Sequence, residues 1–148
     1  GIEKKKSSFN YKYIIRGGNK MARELTFYKC NRCGNIVELL VNGGGTLVCC
    51  REDMKELKAN STDAANEKHV PVVEVAGNKV SVKVGSVAHP MTEEHHIAFV
   101  VLLTEKTVQR VDLDHVGEPV AEFVLADDDK VVAAYEYCNL HGLWVARV

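Results

Sequence analysis

Tyr135-Glu136-Tyr137-Cys138-Asn139-Leu140-His141-Gly142-Leu143-Trp144 closes a β-like run rich in Val, Ala and Tyr and turns at a glycine. Cys138 and His141 stand three apart, so a short loop at a strand end can aim a thiolate and an imidazole at one metal ion. Three more histidines sit upstream in matching settings: His69 before Val70-Pro71, His89 before Pro90-Met91, and His95. Four imidazoles and one thiolate exceed what a tetrahedral zinc site uses. Five-coordinate iron with an open position fits this donor set better.

Outward from that stretch the chain is a series of β signals. They fall at 70–75, 80–84 with clean alternation, 96–103, 107–113, 119–125, 131–137 and 143–147, with turns at Gly77-Asn78 and Asp127-Asp128-Asp129. Turn signals spaced roughly ten residues apart predict an antiparallel β-sandwich of immunoglobulin-like kind with about seven strands. No long helical pattern and no internal repeat competes with this all-β reading. Trp144 and the tyrosines are expected to fill the core or to cover the thiolate side of the site.

A second metal signal lies nearer the N-terminus. Cys30-Asn31-Arg32-Cys33-Gly34 is a knuckle whose backbone amides can face metal-bound sulfurs, and Cys49-Cys50 follows a Gly43-Gly44-Gly45 turn. Neighbouring residues on a regular strand point to opposite faces, so Cys49 and Cys50 can share one ion only if the chain turns there. Spacing alone leaves zinc and iron both open. A unit this small needs a metal to fold whichever ion it holds.

Residues 51–66 are charged and polar and read as a short helical turn running into a linker, with a domain boundary near residue 60. Residues 1–20 lack a sustained period and are expected to be a disordered tail. The division that follows is 1–20 tail, 21–58 cysteine-quartet domain, 59–66 linker and 67–148 histidine-site domain.

The net charge of −1 conceals an asymmetry. Lys4, Lys5, Lys6, Lys12, Arg16 and Lys20 against Glu3 put +5 on the first twenty residues and leave −6 on the rest. A mildly acidic body makes nucleic acid an unsuitable partner. The N-terminus lacks the apolar run of ~7–15 residues of a secretory signal, and no segment approaches the ~20 of a membrane span. The expectation is therefore a cytoplasmic protein in which clustered cysteines bind metal instead of pairing as disulfides.

Taken together, these motifs resemble a known family. The cysteine quartet is similar to desulforedoxin, while Glu67-Lys68-His69-Val70-Pro71, His89-Pro90-Met91 with His95, and Tyr137-Cys138-Asn139-Leu140-His141-Gly142 resemble superoxide reductase. In this order they resemble desulfoferrodoxin, the two-iron superoxide reductase, over residues 21–148. The resemblance implies a catalytic iron held by His69, His89, His95 and His141 in a plane with Cys138 axial. It also implies a rubredoxin-like iron held by Cys30, Cys33, Cys49 and Cys50. Glu67 matches the residue that closes on the ferric ion, and Lys68 the charge beside the open position. Of the neighbours His95 and His96 only one can face the metal, and the resemblance selects His95. His115 reads as a solvated loop residue. The family implies a homodimer fed by a rubredoxin.

Superoxide is a small anion that leaves as hydrogen peroxide after gaining one electron and two protons. An axial Cys138 thiolate would push electron density onto the iron, hydrogen bonds to its sulfur would tune that push, and Lys68 would attract the anion. Two other classes fit the motifs less fully: a two-iron electron carrier with a closed histidine site, and a zinc-stabilised interaction module.

Overall fold

The structure is a computed structural model that describes residues 12–16 and 20–148, with side chains from residue 23 onward. The chain divides into two units, the first ending at Leu57 and the second spanning Lys58–Val148. Most of the expected tail lies outside the described residues. Within it, β1 (Lys12–Arg16) pairs antiparallel with β2 (Lys20–Glu24).

The first unit continues with β3 (Phe27–Lys29), β4 (Ile36–Glu38), β5 (Val48–Cys49), β6 (Glu52–Asp53) and β7 (Lys55–Glu56). β3 is the centre of a three-stranded sheet between β4 and β7, and β5 pairs with β6. The expected helical turn after residue 51 is thus corrected to two short strands. The reason is local: Cys50 and Arg51 both take left-handed backbone, φ 52° and 64°, and this reverses the chain so that Glu52 lies opposite Cys49. Beyond it, Glu56 and Lys55 pair with Tyr28 and Lys29, and the sheet contact overrides a weak helical pattern.

The second unit carries the seven strands. A single helical turn, α1 (Asn66–His69), leads into β8 (Pro71–Ala76), β9 (Lys79–Val84), β10 (Ile97–Thr104), β11 (Val108–Asp112), β12 (Val120–Val124), β13 (Val131–Cys138) and β14 (Gly142–Arg147). α1 stops where it does because Val70 precedes a proline and adopts extended backbone, φ −69° and ψ 122°. One sheet has the order β11-β10-β13-β14 and the other β12-β9-β8, with every pairing antiparallel. Alternation places Val80, Val82 and Val84 inward from β9, opposed by Ala121 and Phe123 of β12 and by Val100, Leu102 and Ala134 of the other sheet.

A bulge in β10 between Ile97 and Phe99 lets Ile97 and Val100, three apart, both join the core. The exposed edge of β14 is blunted by Asn60, from the segment read as a linker. Its side chain donates to the carbonyl of Val145 (3.1 Å) and accepts from the Val145 N–H (2.8 Å), as a paired strand would. No helix among the described residues is long and apolar enough to cross a membrane.

Candidate metal centres

The loops at one end of the sandwich bring five donors together. His69, His89, His95, His141 and Cys138 each present one ligand atom within 4.8 Å of all the others. Each is placed by a distinct local device. His69 ends α1 and its Nδ1 donates to the Ala65 carbonyl at 2.8 Å. His89 Nδ1 donates to the Pro90 carbonyl at 2.7 Å. His95 closes a turn in which its own N–H reaches Thr92 Oγ1 (3.1 Å) and its carbonyl accepts from the Thr92 N–H (2.9 Å). Cys138 is the last residue of β13, and His141 lies in the three-residue loop to β14. That loop requires left-handed backbone at its exit, which Gly142 supplies at φ 81°.

A carbonyl oxygen can only accept, so Nδ1 of His69 and His89 carries the proton and Nε2 is left with its lone pair. His141 presents Nδ1 instead, 3.1 Å from His69 Nε2. The rings are arranged edge to face around a square: centroids are 4.7 Å apart for His69/His89, 4.6 Å for His89/His95, 5.1 Å for His95/His141 and 4.9 Å for His69/His141. The His69/His95 pair spans the diagonal at 6.5 Å. Cys138 Sγ lies 3.5 Å from His89 Nε2 and 3.8 Å from His141 Nδ1.

This donor set fits a metal ion on observations of the protein alone. His95 Nε2 is buried without any hydrogen-bond partner, and His69 Nε2 and His89 Nε2 approach to 3.2 Å, where two lone pairs would otherwise face each other. Burial disfavours the charged form of three of the imidazoles, pushing His89 down to about 4 and lowering His69 and His95 as well. Burial likewise raises the Cys138 thiol, against the backbone N–H groups of Leu140 and His141 that donate to its sulfur. A cation would reverse that balance by stabilising the thiolate.

In the first unit Cys30, Cys33, Cys49 and Cys50 form the second cluster. The turn that Cys49-Cys50 needs is present in the left-handed backbone of Cys50 and Arg51. Cys33 and Cys49 sulfurs are 3.6 Å apart, and the N–H groups of Arg32 and Cys33 both reach Cys30 Sγ at 3.4 Å. The Cys33 N–H brings the Cys30 thiol down to about 6, whereas hydrogen bonding from Cys33 and then Cys30 pushes Cys50 up to about 12. Four crowded sulfurs cannot all ionise without a cation among them.

Comparison with known proteins covers both units. The family model described as Desulfoferrodoxin matches residues 61–147, and that described as Desulfoferrodoxin, N-terminal domain, matches residues 22–57. The chain belongs to the desulfoferrodoxin family. A desulfoferrodoxin of Nitratidesulfovibrio vulgaris is 51% identical over 127 residues, covering 86% of this chain and 99% of that protein. A desulfoferrodoxin homolog of Archaeoglobus fulgidus is 50% identical over 124 residues, covering 84% and 98%. The crystal structure of the superoxide reductase from Treponema pallidum superposes with a TM-score of 0.72 at 46% identity, covering 84% of this chain and all of that one.

Within this family member, Glu67 and Lys68 stand exposed on α1, outside the five-donor cluster. Lys68 nevertheless contributes to lowering both His69 and His95, so its charge is felt at the site. Two residues at the centre carry no metal-site motif in the sequence. Trp144 is buried in the core, as expected, and there stacks on His69. Glu136, opposite Val100 and Trp144, is fully buried with neither carboxylate oxygen hydrogen-bonded, and burial pushes it up to about 9. Strand alternation puts Glu136 on the face of Cys138, the one signal that could have drawn attention to it.

Proposed function

We propose that the protein is a superoxide reductase, with His69, His89, His95, His141 and Cys138 holding a catalytic iron and the four N-terminal cysteines holding a second. The observation that carries this reading is the square of four imidazoles with a thiolate beside it, five donors that would together hold one ion. Bound there, ferrous iron would supply the one electron that superoxide needs. The chain's own groups do the rest. Nδ1 hydrogen bonds to backbone carbonyls fix the tautomers of His69 and His89. N–H groups of Leu140 and His141 moderate the Cys138 thiolate. Lys68 draws the anion in, and Glu67 on the same turn can close over the site after peroxide has left.

The quartet unit is assigned an auxiliary role, and the chemistry is assigned to residues 67–148. A rubredoxin-like carrier in a reducing cytoplasm is the proposed electron source, and a homodimer the proposed assembly. Pulsing superoxide onto reduced, iron-loaded protein is the test. Second-order consumption with one hydrogen peroxide formed per superoxide is expected, and oxidised protein should shift its visible spectrum with azide. A site indifferent to both anions would make the protein an electron carrier instead.

A further inference from the structure

The chain contains six histidines, and the five-donor cluster takes four of them. The two left over, His96 and His115, are nineteen positions apart in sequence, yet their rings meet with centroids 6.1 Å apart and planes inclined 53°. That separation is longer than the 4.6 to 5.1 Å of neighbouring rings in the main cluster and close to its 6.5 Å diagonal.

One of the two rings is also prepared in the way metal-binding imidazoles are. His96 Nδ1 donates to the carbonyls of Thr92 (2.9 Å) and Glu93 (3.1 Å), the same backbone device that fixes His69 and His89. His115 Nδ1 faces the Asp114 carboxylate at 3.4 Å, a neighbour that can orient the ring. In His96 the proton therefore sits on Nδ1, and Nε2 keeps its lone pair. His115 is half exposed, so its ring can swing to meet an ion without disturbing the core.

We propose that His96 and His115 form a third metal site, a two-imidazole surface site for a borderline divalent d-block ion whose remaining ligands are water. Imidazole donors and the usual affinity order favour Cu²⁺ and Ni²⁺ over Mn²⁺, and magnesium or calcium would prefer oxygen. The site is coupled to the catalytic loops through the backbone. The His96 N–H donates to Asn139 Oδ1 at 2.8 Å, and Asn139 Nδ2 donates to the Glu94 carbonyl at 2.9 Å. An ion on His96 therefore braces the turn that carries His95 against the loop that carries Cys138 and His141.

The test uses tag-free, full-length, iron-loaded protein with Ni²⁺ as probe, followed by equilibrium dialysis and calorimetry while iron content and visible spectrum are monitored. One equivalent of Ni²⁺ beyond the iron is expected, weakened at least roughly tenfold in His115→Gln, since losing even a supporting partner costs that much at metal sites. His115 is exposed, so this variant keeps its fold and its iron spectrum. Mn²⁺ should bind far more weakly than Ni²⁺. Equal Ni²⁺ binding by wild type and His115→Gln overturns the proposal. Equal affinities for Mn²⁺ and Ni²⁺ overturn it too, because carboxylates would then be the ligands.

Discussion

Trp144 lies against His69 with ring centroids 4.9 Å apart and planes inclined 27°, while its indole N–H is given to the His141 carbonyl at 3.1 Å. One side chain thus fixes the plane of one candidate ligand and the backbone of another. Trp144→Phe keeps the stack and loses the hydrogen bond, which should cost about 1 kcal/mol. Trp144→Ala removes both and opens a cavity, for about 3–5 kcal/mol. Urea unfolding and the rate of iron release to a chelator should both worsen in the order wild type, Phe, Ala. Release rates that do not change would mean that Trp144 serves only the core.

Gly85 sits beneath the turn that carries Glu67 and Lys68. Its φ is 83°, and a Cβ there would collide with the Val87 carbonyl and come within 2.7 Å of the Glu67 carbonyl oxygen and the Lys68 Cα. The Val87 N–H holds that same Glu67 carbonyl at 2.9 Å. Gly85→Ala should therefore destabilise the domain by about 1–3 kcal/mol, the usual cost of left-handed strain. It should also displace α1 and with it Glu67, so that the oxidised spectrum changes, as it should in Glu67→Ala if Glu67 closes on the metal. A spectrum identical to wild type would show that the turn absorbs the methyl group without moving Glu67.

Asp129 closes the opposite end of the sandwich. Its carboxylate accepts from Thr104 Oγ1 (2.6 Å) and from the N–H groups of Lys106 (3.1 Å) and Lys130 (2.8 Å). Burial opposes ionisation there, but those donors outweigh it and the carboxyl is held below its ordinary value. A depressed carboxylate stabilises the fold above its unfolded pKa, and that contribution is lost as pH falls through the folded value. Asp129→Asn should thus cost about 1–3 kcal/mol near neutrality. The gap from wild type should close below about pH 4, where an unfolded Asp protonates. Thermal unfolding across pH measures it, and a gap independent of pH would assign the effect to shape alone.

Much of this was legible in the sequence, for physical reasons that differ by element. The seven strands of the sandwich could be placed to within a residue or two because Val80, Val82 and Val84 alternate cleanly and turn residues punctuate each strand. The five-donor cluster was legible because thiolate and imidazole chemistry is rare enough for their joint spacing to stand out. The strands after Arg51 were not, since they depend on a left-handed turn at Cys50, a residue type that does not announce one. Nor could sequence reveal that His141 presents Nδ1, that a bulge turns Ile97 inward, or that His96 meets His115, all of which arise from tertiary packing.

The two-unit organisation predicts that the metal sites can be separated. Cys33→Ser removes one sulfur from a quartet whose Cys33–Cys49 contact is 3.6 Å, and should abolish the metal spectrum of the first unit. The reaction with superoxide should persist at close to the wild-type rate, measured on reduced protein after a superoxide pulse. Loss of most of that rate would make the quartet's iron a participant in the reaction.

Lys68 is the most direct test of how the anion arrives. It is exposed on α1, one residue from His69, and its charge is felt at both His69 and His95. A reaction near the diffusional ceiling of ~10⁹ M⁻¹s⁻¹ is limited by encounter. One well-placed charge on an otherwise acidic body can change that encounter about tenfold at low salt. Lys68→Ala should therefore keep its iron and its spectrum, yet react roughly tenfold more slowly with superoxide at low ionic strength. With a Debye length of about 10 Å at 0.1 M, the difference should shrink as salt is added. Pulsed superoxide kinetics on both proteins at several ionic strengths decides it. Equal rates at low salt would mean that the attraction comes from the iron centre itself and that Lys68 is a solvated surface charge.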